Sequence, residues 1–296
     1  MLRIGMFLAT NFAVMLVASI IFRVFGIDQM VGGGMTASLI YCAIFGMMGS
    51  IISLFMSKSM AKRGSGAQVI ETPRNDTEQW IVDTTRRQAE AAGIDMPEVA
   101  IFPSPQPNAF ATGWNKNAAL VAVSEGLLHT MSKEEVEAVI GHEIGHVANG
   151  DMITLALVQG VMNTFVIFFA RILGQLIDSA LSGGRNSGYG RGIGYMVGYY
   201  GGQFVFGILA SVVVAWFSRF REFRADIAGA QLAGRENMIA ALEALKGPSQ
   251  QQADMPDTLT AFAISGGGFS AGLAKLRSTH PPLDARIEAL RTADLS

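Results

Sequence analysis

Two histidines flank a glutamate and two other residues in the run His142-Glu143-Ile144-Gly145-His146. On a helix, positions i and i+4 lie one turn apart on one face, so both imidazoles can reach a single metal ion. Zinc suits this spacing, one ion per chain, held by two neutral ring nitrogens and a third protein ligand, with a fourth position left for water. Glu143, adjacent to His142 and rotated slightly from it, can reach that water and serve as general base. The chemistry would be hydrolysis by an activated water. The helix that must carry these residues has its own signals. Ser132 and Glu135 form a Ser-x-x-Glu capping box, Val136, Val139, Ile140, Ile144 and Val147 supply an apolar face, and Gly150 suits the C′ position. The plainer alternative is a pair of solvated surface histidines.

A third ligand is needed, and the run Arg221-Glu222-Phe223-Arg224-Ala225-Asp226 offers Glu222, with Asp226 one turn further on the same face. These two could instead be a charged surface paired with Arg219, Arg221 or Arg224. Four stretches together carry a more specific signal: Pro107-Asn108-Ala109-Phe110-Ala111-Thr112-Gly113, the His142 to His146 run, Glu222 to Asp226, and Thr279-His280-Pro281-Pro282. In these the chain resembles the M48 peptidases along essentially its whole length. The resemblance implies a gluzincin-type site, with Glu222 as third zinc ligand and Asp226 hydrogen-bonded behind a ligand histidine. A carboxylate on the far ring N–H fixes the tautomer and raises ligand basicity. It also implies that His280, followed by Arg286, assists catalysis, His280 by donating a hydrogen bond to the oxyanion. A structural role for His280 in the turn before Pro281 is the competing reading. Asn108, Ala109, Phe110, Ala111 and Thr112 resemble the strand along which such enzymes lay an extended substrate by β-augmentation, the alternative being an interior strand. His129 reads as structural or surface.

The composition places this site beside a membrane. Half of the 296 residues are hydrophobic, 16% are charged and mean hydropathy is +0.35, too apolar for an ordinary soluble enzyme. The formal net charge of -2 gives no basic excess for phosphate neutralisation, which argues against nucleic acid as a partner. The single cysteine, Cys42, lies in an apolar run and reads as a packed hydrophobe. Four segments are long enough to cross about 30 Å of hydrocarbon: Ile4 to Phe25, Thr36 to Ser57, Ile153 to Ile177 and Ile193 to Phe217. The first reads as a retained anchor, since its apolar stretch is too long for a signal peptide. Arg171, Gln175 and Asp178 crowd the end of the third, and glycines dilute the start of the fourth. These two are therefore expected to pack on each other.

Arg3 before the first segment and Lys58, Lys62 and Arg63 after the second put both ends of that hairpin in the cytoplasm, and Arg219, Arg221 and Arg224 after the fourth repeat the pattern. The zinc helix precedes the third segment and Glu222 follows the fourth, so the chain must cross an even number of times between them.

The expected organisation is a transmembrane hairpin over 1–57, a first part of a cytoplasmic protease domain over 58–151, a second hairpin with a Gly-rich loop over 152–217, and the second part of the protease domain over 218–296. The fold class is membrane α-helical, about four transmembrane helices, with a cytoplasmic α+β gluzincin-type metalloprotease domain. Within that domain Asp76 to Ala92 has helical character, and strands are expected at Val99 to Phe102, Ala109 to Thr112 and Ala118 to Ser124. The Gly-rich tract Ser182 to Gly202 reads as a flexible connector. After Arg219, helices are broken by Gly247-Pro248, by Ser265 to Gly268 and by Pro281-Pro282.

The expected function is zinc-dependent endoproteolysis at the cytoplasmic face of a bacterial inner membrane, with membrane or misfolded proteins as substrates, lipid as the surrounding partner, and a role in quality control and stress response. Two rivals are a prenyl-protein protease, a branch with more membrane spans, and a catalytically silent metal-binding adaptor or transporter, which would have no need of Glu143.

Overall fold

The computed structural model describes residues 34–181, 192–246 and 280–295. Ile4 to Phe25, Gly247-Pro248, Ser265 to Gly268 and Thr279 lie outside them. Two compact units emerge, one of Met1–Ser53 with Ala156–Val214 and one of Leu54–Leu155 with Ala215–Ser296.

Three helices among the described residues are long and apolar enough to cross a membrane: α1 (Met35–Ser65), α5 (Asp151–Leu181) and α6 (Ile193–Ala233). They contain the second, third and fourth expected segments, each extended at one or both ends. Their portions in the first unit enclose a small core in which Met35, Leu39 and Cys42 of α1 meet Phe168 of α5. Arg171 lies over the Tyr41 ring at 4.8 Å, which satisfies a cation otherwise stranded in an apolar helix. Phe169 of α5 packs on Phe206 of α6 at 5.6 Å. The reading of Ser182 to Gly202 as a connector is corrected here: from Ile193 onward the tract is helical. Tyr195, Tyr199 and Tyr200 sit among its glycines and stack with one another, holding a helix that glycine alone would weaken.

The second unit is the α+β domain. Its sheet comprises β1 (Gln68–Val69), β2 (Glu98–Phe102), β3 (Ala109–Thr112) and β4 (Leu120–Ser124), in the order β1-β2-β4-β3. β2 and β4 run parallel with Val99 opposite Val121, whereas β3 returns antiparallel on β4 with Phe110 opposite Ala122. β3 is therefore an edge strand. β4 is buried along its length, as an apolar run between two neighbours requires.

On one face of the sheet lies the main core, where Val99, Val121 and Val123 meet Ile81 of α2 (Asp76–Ala91) and Ile140 and Ile144 of α4 (Lys133–Asn149). The short helix α3 (Glu125–Thr130) joins β4 to α4. Beyond α4, α7 (Arg235–Ala244) and α8 (Leu283–Thr292) add Met238, Leu242, Ile287 and Leu290 to the same core.

Candidate metal centre

α4 begins as its sequence predicts. The Ser132 side chain accepts from the Glu135 backbone N–H at 3.2 Å, and Glu135 Oε2 accepts from the Ser132 N–H at 2.8 Å. It ends at Gly150, whose φ of 66° is the left-handed conformation that glycine adopts without a Cβ penalty. Val136, Val139, Ile140, Ile144 and Val147 are all buried, so the apolar face is fixed in the core and His142 and His146 share one of the remaining faces.

The third member of the group, a carboxylate, arrives on a membrane-length helix. Glu222 stands on α6, continuous with the apolar segment that ends at Phe217. α6 reaches α4 closely because position 145 is glycine: a Cβ there would come within 2.7 Å of the Ala228 Cβ. His142 Nε2 and His146 Nε2 are 3.2 Å apart, His146 Nε2 is 3.4 Å from Glu222 Oε1, and His142 Nε2 is 3.6 Å from Glu222 Oε2. A tetrahedral zinc with ligand distances near 2.0–2.2 Å has ligand-to-ligand edges of roughly 3.3–3.6 Å. The donor set and the triangle both fit one such ion, and among the described residues this is the group of histidine and carboxylate ligands close enough to hold a metal.

Each histidine of the triangle is backed by its own carboxylate. His142 Nδ1 lies 2.9 Å from Asp226 Oδ1, the arrangement the family resemblance implied, and His146 Nδ1 lies 2.7 Å from Asp151 Oδ2. Asp151 was not singled out in the sequence. An acidic residue directly after a helix-ending glycine is an ordinary start for the next helix, and only its spacing of five from His146 hints at more. Arg221, which the sequence offered only as a surface partner or a topology signal, is buried and donates from Nη1 to the Asp151 carbonyl at 2.8 Å.

Arg286 of α8 closes the assembly. Its Nε and Nη2 donate to both oxygens of Asp226 at 2.8 and 2.5 Å, a bidentate fork, and its Nη1 lies 3.3 Å from Glu222 Oε2. Burial works against the Arg286 charge, but Asp226 and then Glu222 and Glu143 outweigh it and raise its pKa. Burial likewise disfavours the His146 imidazolium; hydrogen bonds to Asp151 and Glu222 and the charge of Glu143 prevail and raise it to about 10 in the metal-free site.

His280 sits at the rim, 64% exposed along its side chain, with Nδ1 2.8 Å from Glu222 Oε2. Glu143 is half-buried on α4. β3 packs against α4, the helix that carries His142 and His146. His129 is exposed on α3 and takes no part in the site.

The model of peptidase family M48 matches residues 75–294, a span that contains all the site residues named above. The chain belongs to peptidase family M48. Membership brings protein hydrolysis that uses a metal ion. Protease HtpX of Hahella chejuensis is 57% identical over 293 residues, covering 98% of this chain and 99% of its own. Protease HtpX of Chromohalobacter salexigens is 58% identical over 294 residues, with 98% of each chain covered. Protease HtpX of Pseudomonas aeruginosa strain PAO1 is 56% identical over 293 residues and 99% of both. Among solved structures, the crystal structure of S. mikatae Ste24p aligns with a TM-score of 0.59 and 17% identity over 94% of this chain, a likeness of fold. The chain spans 62% of that protein's length.

Proposed function

We propose that this M48 metalloprotease is a zinc-dependent endopeptidase that cuts membrane or misfolded proteins at the cytoplasmic face of a bacterial inner membrane, in protein quality control and stress response. The observation that carries the reading is the ligand triangle of 3.2, 3.4 and 3.6 Å with a carboxylate behind each histidine. His142, His146 and Glu222 would hold one zinc ion per chain. When bound, the ion supplies a Lewis acid and a water nucleophile at neutral pH.

The protein's own groups do the remaining work. Glu143 takes the proton as the water oxygen attacks the peptide carbonyl carbon, then delivers it to the amine as the C–N bond breaks. His280 donates toward the oxyanion that develops on the attacked carbonyl, and its position beside Glu222 supports that role. Asp226 and Arg286 orient His142 and Glu222. Asn108 to Thr112 receive the substrate as an added strand, a reading favoured by the edge position of β3.

For the whole chain we propose four membrane helices, the described three plus Ile4 to Phe25, divided at 1–57, 58–151, 152–217 and 218–296. The names of the full-length relatives support a protease of this kind. The experiment is cleavage of casein by the zinc-loaded protein and by Glu143→Gln. Activity in the first and none in the second is expected; equal activity would sink the mechanism and favour a silent metal-binding adaptor.

A further inference from the structure

One end of the sheet carries an apolar surface that neither the core nor the metal centre uses. There β3 ends at Thr112 opposite Leu120, the start of β4, and Leu120 stands opposite Glu98, the start of β2. The turn after β3 leaves Trp114 45% exposed, with its ring 5.6 Å from that of Phe55 on α1. Phe55 is 58% exposed, and Met56 and Met60 near it are exposed as well. Met96 is exposed in the loop before β2, which is tied to the turn by the Asp95 N–H donating to Asn117 Oδ1 at 3.4 Å. Two large aromatic rings in tilted contact yet both exposed are not explained by packing within the domain.

The level of this surface is set by α1. Its exposed apolar side chains run from Ile40 to Met60, and Phe55 stands one turn before Lys58, the first cation of the helix. Lys58 and Lys62 both pair with Glu98 at the start of β2, Lys58 at 2.8 Å, clamping this end of the sheet to the point where the helix turns polar. Where a spanning helix leaves the hydrocarbon is also where tryptophan concentrates, since the indole has an apolar body and one N–H. Lys116 in the same turn and Arg63 at the end of α1 are exposed cations suited to anionic phosphate headgroups.

The geometry points to a membrane-surface seat at this end of the sheet, with Trp114 inserted among lipid headgroups beside Phe55 and with Lys116 and Arg63 over lipid phosphate. β3 leads directly into that seat and packs on the metal helix. Resting on the reading of β3 as the substrate strand, polypeptide emerging from the bilayer meets the sheet edge before it meets Glu143.

The chain has three tryptophans, so Trp80→Phe with Trp216→Phe leaves Trp114 as the sole indole reporter. Reconstituted in phosphatidylethanolamine and phosphatidylglycerol vesicles, that protein is expected to show emission quenched by lipids brominated near the headgroup and shielded from iodide. Quenching by iodide with no effect of brominated lipid would overturn the seat. This readout needs no activity and can be taken in a Glu143→Gln background, so its failure is distinct from failure of the protease reading. For delivery, Trp114→Ser in the otherwise native chain should lose several-fold in cleavage of a membrane-anchored substrate while casein cleavage holds, and Trp114→Tyr should restore it. Equal loss on both substrates, or loss on neither, overturns the delivery role.

Discussion

At the proposed zinc site, His142 and His146 are held by two different carboxylates. Asp151→Asn removes the charge behind His146 while keeping its shape. It should lower zinc affinity by about 10–100-fold, as losing such a partner does elsewhere; competition against a chromogenic chelator measures this, and unchanged affinity would show the bond to be idle. Asp226 is 1% exposed and its charge is balanced by Arg286. Arg286→Met strands that buried charge and should cost about 3–5 kcal/mol, read by urea unfolding of the metal-free protein. His146 also makes the site pH-dependent. Its metal-free pKa, raised from 6.5 to about 10, lies above the unfolded value. It thus contributes metal-free stability that is fully present below pH 6.5 and is lost as pH rises through about 10. Zinc must expel that proton to bind, so apparent zinc affinity should climb from neutral pH toward pH 10. A flat profile in calorimetry would contradict this.

Among the elements, α4 has both ends fixed by local rules. Ser132→Ala breaks the capping box and should destabilise the domain by about 1 kcal/mol, measured by thermal unfolding, with little change in zinc affinity because the metal lies three turns away. Gly145→Ala acts in the opposite sense. The helix itself tolerates alanine, but the added methyl presses on Ala228 and must move α6, which carries Glu222. Zinc content should fall more than stability does. The same continuity of α6 means that Glu222 is positioned by a helix that is itself long enough to span a membrane.

For the molecule as a whole, the ligands come from two stretches separated by α5 and the apolar part of α6. An even number of crossings between them is the condition for one site. A reporter fused after Lys62 should read cytoplasmic, and one placed between Leu181 and Gly192 should read the opposite side. A cytoplasmic signal from the second would mean that α5 and α6 lie within or on the membrane instead of crossing it.

The sequence by itself determined what nearest neighbours along the chain decide. The α4 helix with its caps, His142 and His146 on one face, the strands near Ala109 to Thr112 and Ala118 to Ser124 and the three long apolar helices all follow from apolar patterning and turn residues within a few positions of each other. Glu222, Asp226, His280 and Arg286 were within reach because their motifs resemble a known family; without it Glu222 and Asp226 also read as a charged surface and His280 as a turn residue before Pro281. Tertiary structure decided the rest. Asp151 behind His146, Arg286 bridging Asp226 and Glu222 from sixty residues away, the parallel pairing of β2 with β4, the edge position of β3 and the seat of Trp114 on Phe55 all depend on contacts between segments far apart in the chain. Such contacts leave no local period to read, because each is fixed by how finished helices and strands pack rather than by the residues beside it.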